Sequence, residues 1–530
     1  MDTVFCPIDA YFADEISALL QPPPSAQAQA ISLSHSLVQN YAYILPREVF
    51  NFFPFCKTQE YFDQLITTRG CTGLKVKQNG AHGKGVYADA DFREGDLVLK
   101  DQMLAGSQHS ANKIDCLVCS FCFRFIGTIE VQIGRKLYLQ DLGVAANNEC
   151  DRQTLAHIPK KTCQINSSDS EDDSYVKDPT SMEECASTSS KYGTPLPKEI
   201  VESLMTGELV LPYSKQFPLP SVISCLGGCR EAFYCSQLCA EADWDLFHSL
   251  LCTGARSKSS DKEALLKFLQ HANGKALNHD LLLANFVDFL LQVVSFTILK
   301  YRKLKASYPE DQGKCTAGNC DLSLLSEAWK PVSMGYKIRW WECIALPDDV
   351  DSCDEAAFRM QIKELAFTSL QLLKAAIFDK ECEPLFSLEI YGHIIGMFEL
   401  NNLDLVVASP VEDYFLYIDD LPQSEKKEAE RVTRPVLDAL GDDYSICCQG
   451  TAFFPLQSCM NHSCHPNARA FKREEDRDGQ ATIVALRSIS KGEEVTISYI
   501  DEDLPCEERQ AMLADYGFRC RCQKCLEEEP

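Results

Sequence analysis

Cysteine spacing is the first chemical signal in this chain. Four close pairs fall between residues 116 and 252, namely Cys119-x2-Cys122, Cys225-x3-Cys229, Cys235-x3-Cys239 and His248-x3-Cys252. Tetrahedral Zn²⁺ takes four thiolate or imidazole ligands, delivered mostly as close pairs, so these eight residues serve two ions. Reduced core cysteines would not show such pairing. His248 falls where the last pair needs its first member, after the helical stretch Ala240 to Phe247. Cys116-x2-Cys119 is an alternative first pair, in which Cys116 replaces Cys122. A third cluster, Cys520-x-Cys522-x2-Cys525, offers three thiols, and Cys464 in Asn461-His462-Ser463-Cys464 is the candidate fourth. A zinc there would staple the C-terminal tail to the body, with an apparent binding free energy on the order of 10–16 kcal/mol by analogy with small zinc domains. Three zinc ions are expected in all.

The elements that must position these residues can be read coarsely. Residues 1–70 read as loose amphipathic helices broken by Pro22-Pro23-Pro24. Leu74-Lys75-Val76, Gly85 to Ala88 and Gly95 to Leu99 read as short strands around a glycine-rich turn. The Ser/Asp/Glu-rich stretch within 164–197 has no apolar period and reads as a disordered insert that could accept phosphates. Asp261 to Lys305 reads as two helices broken near Asn273-Gly274, and Glu355 to Phe378 as another. Leu385 to Val407 has strand texture. Further short strands are expected at Gly450 to Leu456, Ala468 to Lys472, Ala481 to Leu486 and Glu494 to Tyr499.

Composition bounds the function. The chain has 530 residues, enough for three or four domains. Hydrophobic residues make up 45%, which excludes wholesale disorder. The formal net charge is −26, which disfavours non-specific nucleic-acid binding and suits a basic partner such as a lysine-rich tail. Met1 to Leu20 has no basic region followed by a long apolar run, so no secretory leader is read. Leu281 to Tyr301 is apolar, but Asn285, Asp288 and Gln292 mark it as a buried core helix rather than a membrane span. The 27 cysteines then sit in a reducing compartment, where clusters bind metal rather than form disulfides.

Two motifs carry a family resemblance. Ala232-Phe233-Tyr234-Cys235-Ser236, followed by Cys239, Trp244, His248 and Cys252, resembles the second half of a MYND zinc finger. Ser458-Cys459-Met460-Asn461-His462-Ser463-Cys464-His465-Pro466-Asn467 resembles the most diagnostic motif of SET-domain lysine methyltransferases. Gly80 to Ala88, Gly492 to Tyr499 and Phe518-Arg519-Cys520-Arg521-Cys522 are similar to that family's glycine turn, C-terminal strand and post-SET segment, in the family's order. The resemblance is to the SET–MYND type, a split SET domain, over roughly residues 70–528, with long insertions similar to those of the plant trithorax-related type. It implies an α+β fold, with a mostly β SET core of knot-like C-terminal threading, an inserted MYND-like finger, helical additions and a post-SET zinc tail. It divides the chain into a helical extension (1–70), the SET N-terminal part (71–115), the finger with its acidic insert (116–252), a helical insert (253–380), the SET C-terminal part (381–499) and the post-SET segment (500–530).

The same resemblance implies roles. MYND fingers are cross-braced, which pairs Cys119, Cys122, Cys235 and Cys239 at one zinc and Cys225, Cys229, His248 and Cys252 at the other. The second pair has three intervening residues rather than two, and the first two pairs lie far further apart than is usual for the family. S-adenosyl-L-methionine is the implied cofactor, held by Gly83, Gly85, Asn401, Asn461, His462 and Tyr499. Tyr499 and Tyr516 are the implied catalytic pair, with Phe518 in the wall of a lysine channel. A free lysine has a pKa of about 10.4, so presenting its neutral amine at pH 7 costs about 4.6 kcal/mol. A narrow apolar channel beside a cationic sulfonium offsets much of that, and aromatic walls favour the methylated cation.

His82, His109, His393 and His465 show no partner pattern, and Cys315-x4-Cys320 lacks a second pair. Cys447, Cys448, Cys459 and Trp340-Trp341 read as core. The expectation is a histone-lysine N-methyltransferase that acts in the nucleus, with the cytoplasm as a second compartment. It would meet a basic protein tail, bind a proline-rich peptide on its finger and remain monomeric, without nucleic acid or membrane. Two alternatives stay open: a non-enzymatic adaptor, and a methyltransferase of non-histone proteins.

Overall fold

The computed structural model describes residues 4, 6–20, 56–79, 83–142, 195–256, 262–275, 281–307, 321–335, 338–347, 350–351, 353–473 and 475–528. The acidic insert (save 195–197), His82, Cys315 and Cys320 lie outside the described residues. The chain divides into two compact units, one made of 1–127, 219–409 and 447–530 and the other of 128–218 and 410–446.

The first unit is a mixed helix and sheet body in which early strands pair with late ones. Strand β1 (Leu74–Asn79) forms an antiparallel hairpin with β2 (Gly83–Ala88), which pairs with the distant β12 (Glu494–Ile497). On its other edge β12 runs parallel to β9 (Asn461–His462), in register Thr496 to Asn461 and Ile497 to His462. A second sheet joins β3 (Leu97–Asp101) to β11 (Ala481–Ala485) and β10 (Ala468–Ala470). A third joins β4 (Ala105–Gln108) to β8 (Cys448–Phe453) and β7 (Asn402–Val407). The finger has its own two-stranded ribbon, β5 (Ile223–Ser224) with β6 (Phe233–Tyr234). In β1, Leu74 and Val76 are buried while their neighbours Lys75 and Lys77 are not, the period-two pattern of a half-buried strand. All five residues of β11 are buried, as befits the middle strand of its sheet.

Helices supply the larger core. Helix Leu281–Ser307 buries Phe289, Leu290, Val294 and Ile298, and its Phe289 ring lies 4.1 Å from that of Phe398. No helix among the described residues is long and apolar enough to cross a membrane. Helix Lys262–Lys275 runs through Asn273-Gly274, the expected site of the break, and residues 276–280 lie outside the described residues. Helix Glu355–Ile377 stands where helical spacing put it.

The segment Leu385 to Val407 corrects the sequence reading. Only Asn402–Val407 is strand, and Leu388–Asn401 is a helix whose Ser387 side chain accepts the Ile390 N–H at 3.2 Å. Ile390, Tyr391, Ile394, Ile395, Met397 and Phe398 are all buried, and only Glu389, His393 and the last turn are half-buried, so the helix shows little amphipathic period. Its isoleucines and aromatics imitate strand composition. Residues 1–70 are helical where described, at Pro7–Tyr11, Ala13–Leu20 and Cys56–Thr68. Leu19 accepts a hydrogen bond from the buried Trp329 indole at 3.0 Å, which ties the N-terminal helices to the helical core.

The second unit is helical. It joins Ile129–Asp141 and Lys198–Thr206 to Pro410–Asp419 and Gln423–Leu440 around Ile133, Leu204, Tyr414 and Val436. These segments lie in two different domains of the sequence reading. The Tyr414 hydroxyl donates to the Pro212 carbonyl at 2.9 Å, and the Glu130 carboxylate accepts the Leu211 N–H at 2.9 Å.

Candidate active site and metal centres

Three sets of four ligand atoms converge, each set within 4.8 Å: Cys119, Cys122, Cys235 and Cys239; Cys225, Cys229, His248 and Cys252; Cys464, Cys520, Cys522 and Cys525. Cys122 and Cys239 each bring Sγ to 3.5 Å from that of Cys235, and Cys225 lies 3.7 Å from Cys252. Cys229 Sγ is 3.3 Å from His248 Nε2, and Cys464 Sγ is 3.5 Å from that of Cys525. A disulfide needs about 2.05 Å. A zinc–sulfur bond of about 2.3 Å sets tetrahedral neighbours about 3.8 Å apart. The donor sets therefore fit four-coordinate zinc. Cys116 is not in the first set; its sulfur accepts from the Asn112 amide at 3.7 Å instead.

Local structure delivers these donors. Ser236 caps helix Gln237–Asp243 by accepting the Cys239 N–H at 3.1 Å, which fixes the Cys235–Cys239 spacing. Gly227 has no alternative, because a Cβ there would stand 2.4 Å from Cys252 Sγ and 2.7 Å from the Trp244 ring. Backbone N–H groups of Gly227, Gly254 and Cys522 donate to Cys225, Cys252 and Cys520 sulfurs at 3.2, 3.3 and 3.4 Å, as suits thiolates. Burial pulls His248 down to about 4, so its ring is neutral and able to ligate.

One contributor escaped the sequence reading. Arg509 is 1% exposed, and its Nη2 donates to Glu528 at 2.7 Å and to Cys525 Sγ at 3.7 Å. Its Nη1 also donates to the Leu504 carbonyl. A buried guanidinium needs negative charge beside it, and four thiolates around a Zn²⁺ held by this set would provide it. Nothing in the run Pro505 to Asp515 marks this arginine apart from an ordinary helix-surface charge.

The second centre is built around β9 and β12. Asn461 Nδ2 donates to Glu494 Oε1 at 2.7 Å. Gly85 faces that pair, and a Cβ there would meet Glu494 Oε1 at 2.5 Å and Asn461 Nδ2 at 3.2 Å. The sequence reading gives Gly85 the task of admitting a cofactor; in the structure it makes room for Asn461 and Glu494. Gly83 differs, with φ +77° and nothing among the described residues within 4 Å of where a Cβ would stand. Asn467, the last residue of the Ser458–Asn467 motif and given no role by the sequence, is buried and donates to the Glu494 carbonyl at 2.8 Å while accepting the Thr496 N–H at 2.8 Å. It thereby holds β12 in register.

Tyr499 follows β12. Its hydroxyl donates to the Met460 carbonyl at 2.6 Å, and its backbone N–H donates to His462 Nδ1 at 3.0 Å. Its ring centroid lies 5.2 Å from Tyr516, 5.3 Å from His462 and 6.4 Å, edge-on, from Phe518. Tyr516 caps the end of helix Cys506–Asp515, and Gly517 at φ +79° turns the chain to Phe518. Burial pushes both phenols up, helped at Tyr499 by Tyr516 and at Tyr516 by the Glu399 carboxylate, so both keep their protons at neutral pH. Asn401 closes helix Leu388–Asn401, its Nδ2 donating to the Met397 carbonyl at 2.6 Å. Asn402 does the same to the Phe398 carbonyl at 2.8 Å.

A split sheet whose late strands bear Asn461, His462 and Tyr499, with a thiol-rich ribbon inserted between its halves, has the organisation of a SET domain with a MYND finger. The SET-domain family model matches residues 332–500, and the MYND-finger model matches 218–252. The chain is 60% identical over 528 residues to Histone-lysine N-methyltransferase ATXR2 of Arabidopsis thaliana, covering 100% of this chain and 99% of that protein. It is 21% identical over 460 residues to Protein-lysine N-trimethyltransferase SMYD5 of Danio rerio, covering 85% of this chain and 86% of that one. Over 86 residues it is 38% identical to Histone-lysine N-methyltransferase SET5 of Meyerozyma guilliermondii, which covers 16% of this chain and 18% of that one. The chain belongs to the SET-domain protein-lysine methyltransferases that carry a MYND finger, and it is an S-adenosylmethionine-dependent enzyme.

Proposed function

We propose that this enzyme methylates histone lysines, with Tyr499 and Tyr516 as its catalytic pair. The observation that carries this reading is the Tyr499 hydroxyl, which spends its proton on Met460 O and keeps oxygen lone pairs for another donor. A lysine ε-ammonium entering beside Tyr499, Tyr516 and Phe518 would donate to that oxygen. The same aromatic walls exclude water and favour its deprotonation. S-adenosylmethionine, when bound, supplies the electrophilic methyl group on a sulfonium. The β9 segment Asn461-His462 fits as its cradle, with the Asn461 amide held by Glu494 where Gly85 leaves room for the pair. Asn401 is the second amide candidate, on the strength of its position before β7. Tyr499, Tyr516 and Phe518 would hold the lysine nitrogen, neutral once its proton has left to solvent, in line with that methyl group, and they act by orientation rather than by proton transfer at Tyr499.

The finer features of the reading are these. Three zinc ions fill the three ligand sets, the C-terminal segment threads the core in the knot-like SET manner, and the finger takes a proline-rich peptide. The enzyme works on chromatin in the nucleus as a monomer. The acidic charge of the chain and the name of its Arabidopsis relative support a histone tail over other substrates.

Methyl transfer from labelled S-adenosylmethionine to core histones and to a denatured cell extract tests the proposal, with wild type beside Tyr499→Phe. Label on a histone that falls by about 10²-fold or more in the variant is expected, the size of one lost transition-state contact in a dry site. Label only on another protein would replace the histone assignment. No label, together with no cofactor binding by calorimetry, would leave the adaptor reading.

A further inference from the structure

His462 bonds in two directions at once. The backbone N–H of Tyr499 can only donate, and it points at His462 Nδ1 from 3.0 Å. Nδ1 therefore holds the lone pair, and the proton of the neutral ring sits on Nε2. Nε2 is 3.2 Å from Cys464 Sγ, and that sulfur is one of the four converging at the third ligand set. The ring is further clamped between Tyr499 at 5.3 Å and Phe518 at 5.9 Å. Both ring nitrogens are thus engaged within the protein, which leaves the backbone of β9, not the imidazole, to meet a bound ligand.

We propose that His462 is a positioning residue whose imidazole couples the Cys464 thiolate of the post-SET zinc centre to the backbone of Tyr499. The link rests on the reading of Tyr499 as the catalytic tyrosine. Its chemistry is a relay of two hydrogen bonds, from the Tyr499 N–H to Nδ1 and from Nε2–H to the thiolate. A thiolate is the stronger acceptor when metal holds it deprotonated, so loading the metal tightens the ring, and the ring in turn fixes where β12 hands over to Tyr499. Arg509, donating to Cys525 Sγ at 3.7 Å, steadies a second sulfur of the same set. The tail centre then does more than staple the chain end, because it sets the placement of the phenol that meets substrate.

Two variants of the zinc-loaded full chain separate the two ends of the relay. In His462→Asn, Oδ1 takes the place of Nδ1 and accepts from Tyr499, but nothing reaches the sulfur. In His462→Gln, Nε2 reaches towards the sulfur, but the acceptor beside Tyr499 is lost. Zinc release to a chromophoric chelator, kcat on core histones, KM for S-adenosylmethionine and the ¹⁵N-tyrosine amide spectrum are read on each. In the Asn variant, release of one ion should quicken about tenfold, the weight of one charge-assisted hydrogen bond, while the Tyr499 amide resonance stays in place. In the Gln variant, that resonance should move and kcat should fall about tenfold with KM little changed, as when a contact made in the transition state is lost. Changes confined to KM in both variants would overturn the proposal and make the imidazole a cofactor ligand. Unchanged zinc release and an unmoved Tyr499 resonance in both would also overturn it. If wild type itself transfers no methyl group, the proposed function falls, and zinc release with the Tyr499 resonance still decides the link.

Discussion

At the scale of single residues, two glycines that look alike in the sequence do different work. Gly85 is pinned by collision, since a methyl group would enter the Asn461–Glu494 hydrogen bond. Gly83 is pinned by its positive φ, with nothing among the described residues within 4 Å of where a Cβ would stand. Gly85→Ala should therefore weaken S-adenosylmethionine binding about tenfold, through loss of one hydrogen bond's worth of order. Gly83→Ala should chiefly cost folding stability, about 1 kcal/mol of left-handed strain. Calorimetry with the cofactor and a denaturation curve on each variant separate the two. Equal cofactor affinities in both variants would argue that the Asn461–Glu494 pair is irrelevant to binding. The motif Asn461 to Cys464 was readable because its residue types are rare together. The role of Arg509 was not, because an arginine between a glutamate and a glutamine is ordinary until distances show what it touches, and Asn467, though within the Ser458–Asn467 motif, carried no sign of what it bonds.

At the scale of elements, the zinc pairs and most short strands were legible. Close cysteine pairs have few other uses, and strands such as β1, with its alternating Leu74 and Val76, and β11, with its apolar run, carry strand patterns beside turn residues. The helix Leu388–Asn401 was not legible, because periodicity reports a boundary between core and solvent and this helix meets solvent only in part, at Glu389, His393 and its last turn. Its interior position makes a prediction. Ile395 is fully buried, so Ile395→Ala should destabilise the enzyme by roughly 2–5 kcal/mol, the range for large-to-small core substitutions. The shift in urea midpoint measures it; a change below about 1 kcal/mol would mean that the helix repacks around the gap. The helical second unit was likewise invisible in advance. Its four helices come from two stretches of chain that flank the finger and β7, and amphipathic patterning does not say which distant helix is the partner.

At the scale of the whole molecule, the net charge of −26 acts on encounter rather than on chemistry. With a Debye length of about 8 Å at 0.15 M salt, the rate of meeting a basic peptide should fall as salt rises while turnover of bound peptide holds steady. A plot of kcat/KM and of kcat against salt concentration, made with a histone-tail peptide, reads this directly. Parallel declines in both would move the effect from encounter to the site itself. The pairing of β2 with β12 has a consequence of another kind. Val86 finds its neighbour Val495 only after roughly 400 further residues have been made, which at about 5–20 residues per second takes on the order of 20–80 s of synthesis. Throughout that interval the β1–β2 hairpin is an apolar ribbon with one edge open, while the finger, whose ligands are complete at Cys252, can already close on its metal. The β2 edge that β12 covers thus stays unpaired until the last tenth of the chain is made. A nascent chain stalled before Glu494 would carry a finished finger and an unfinished catalytic half.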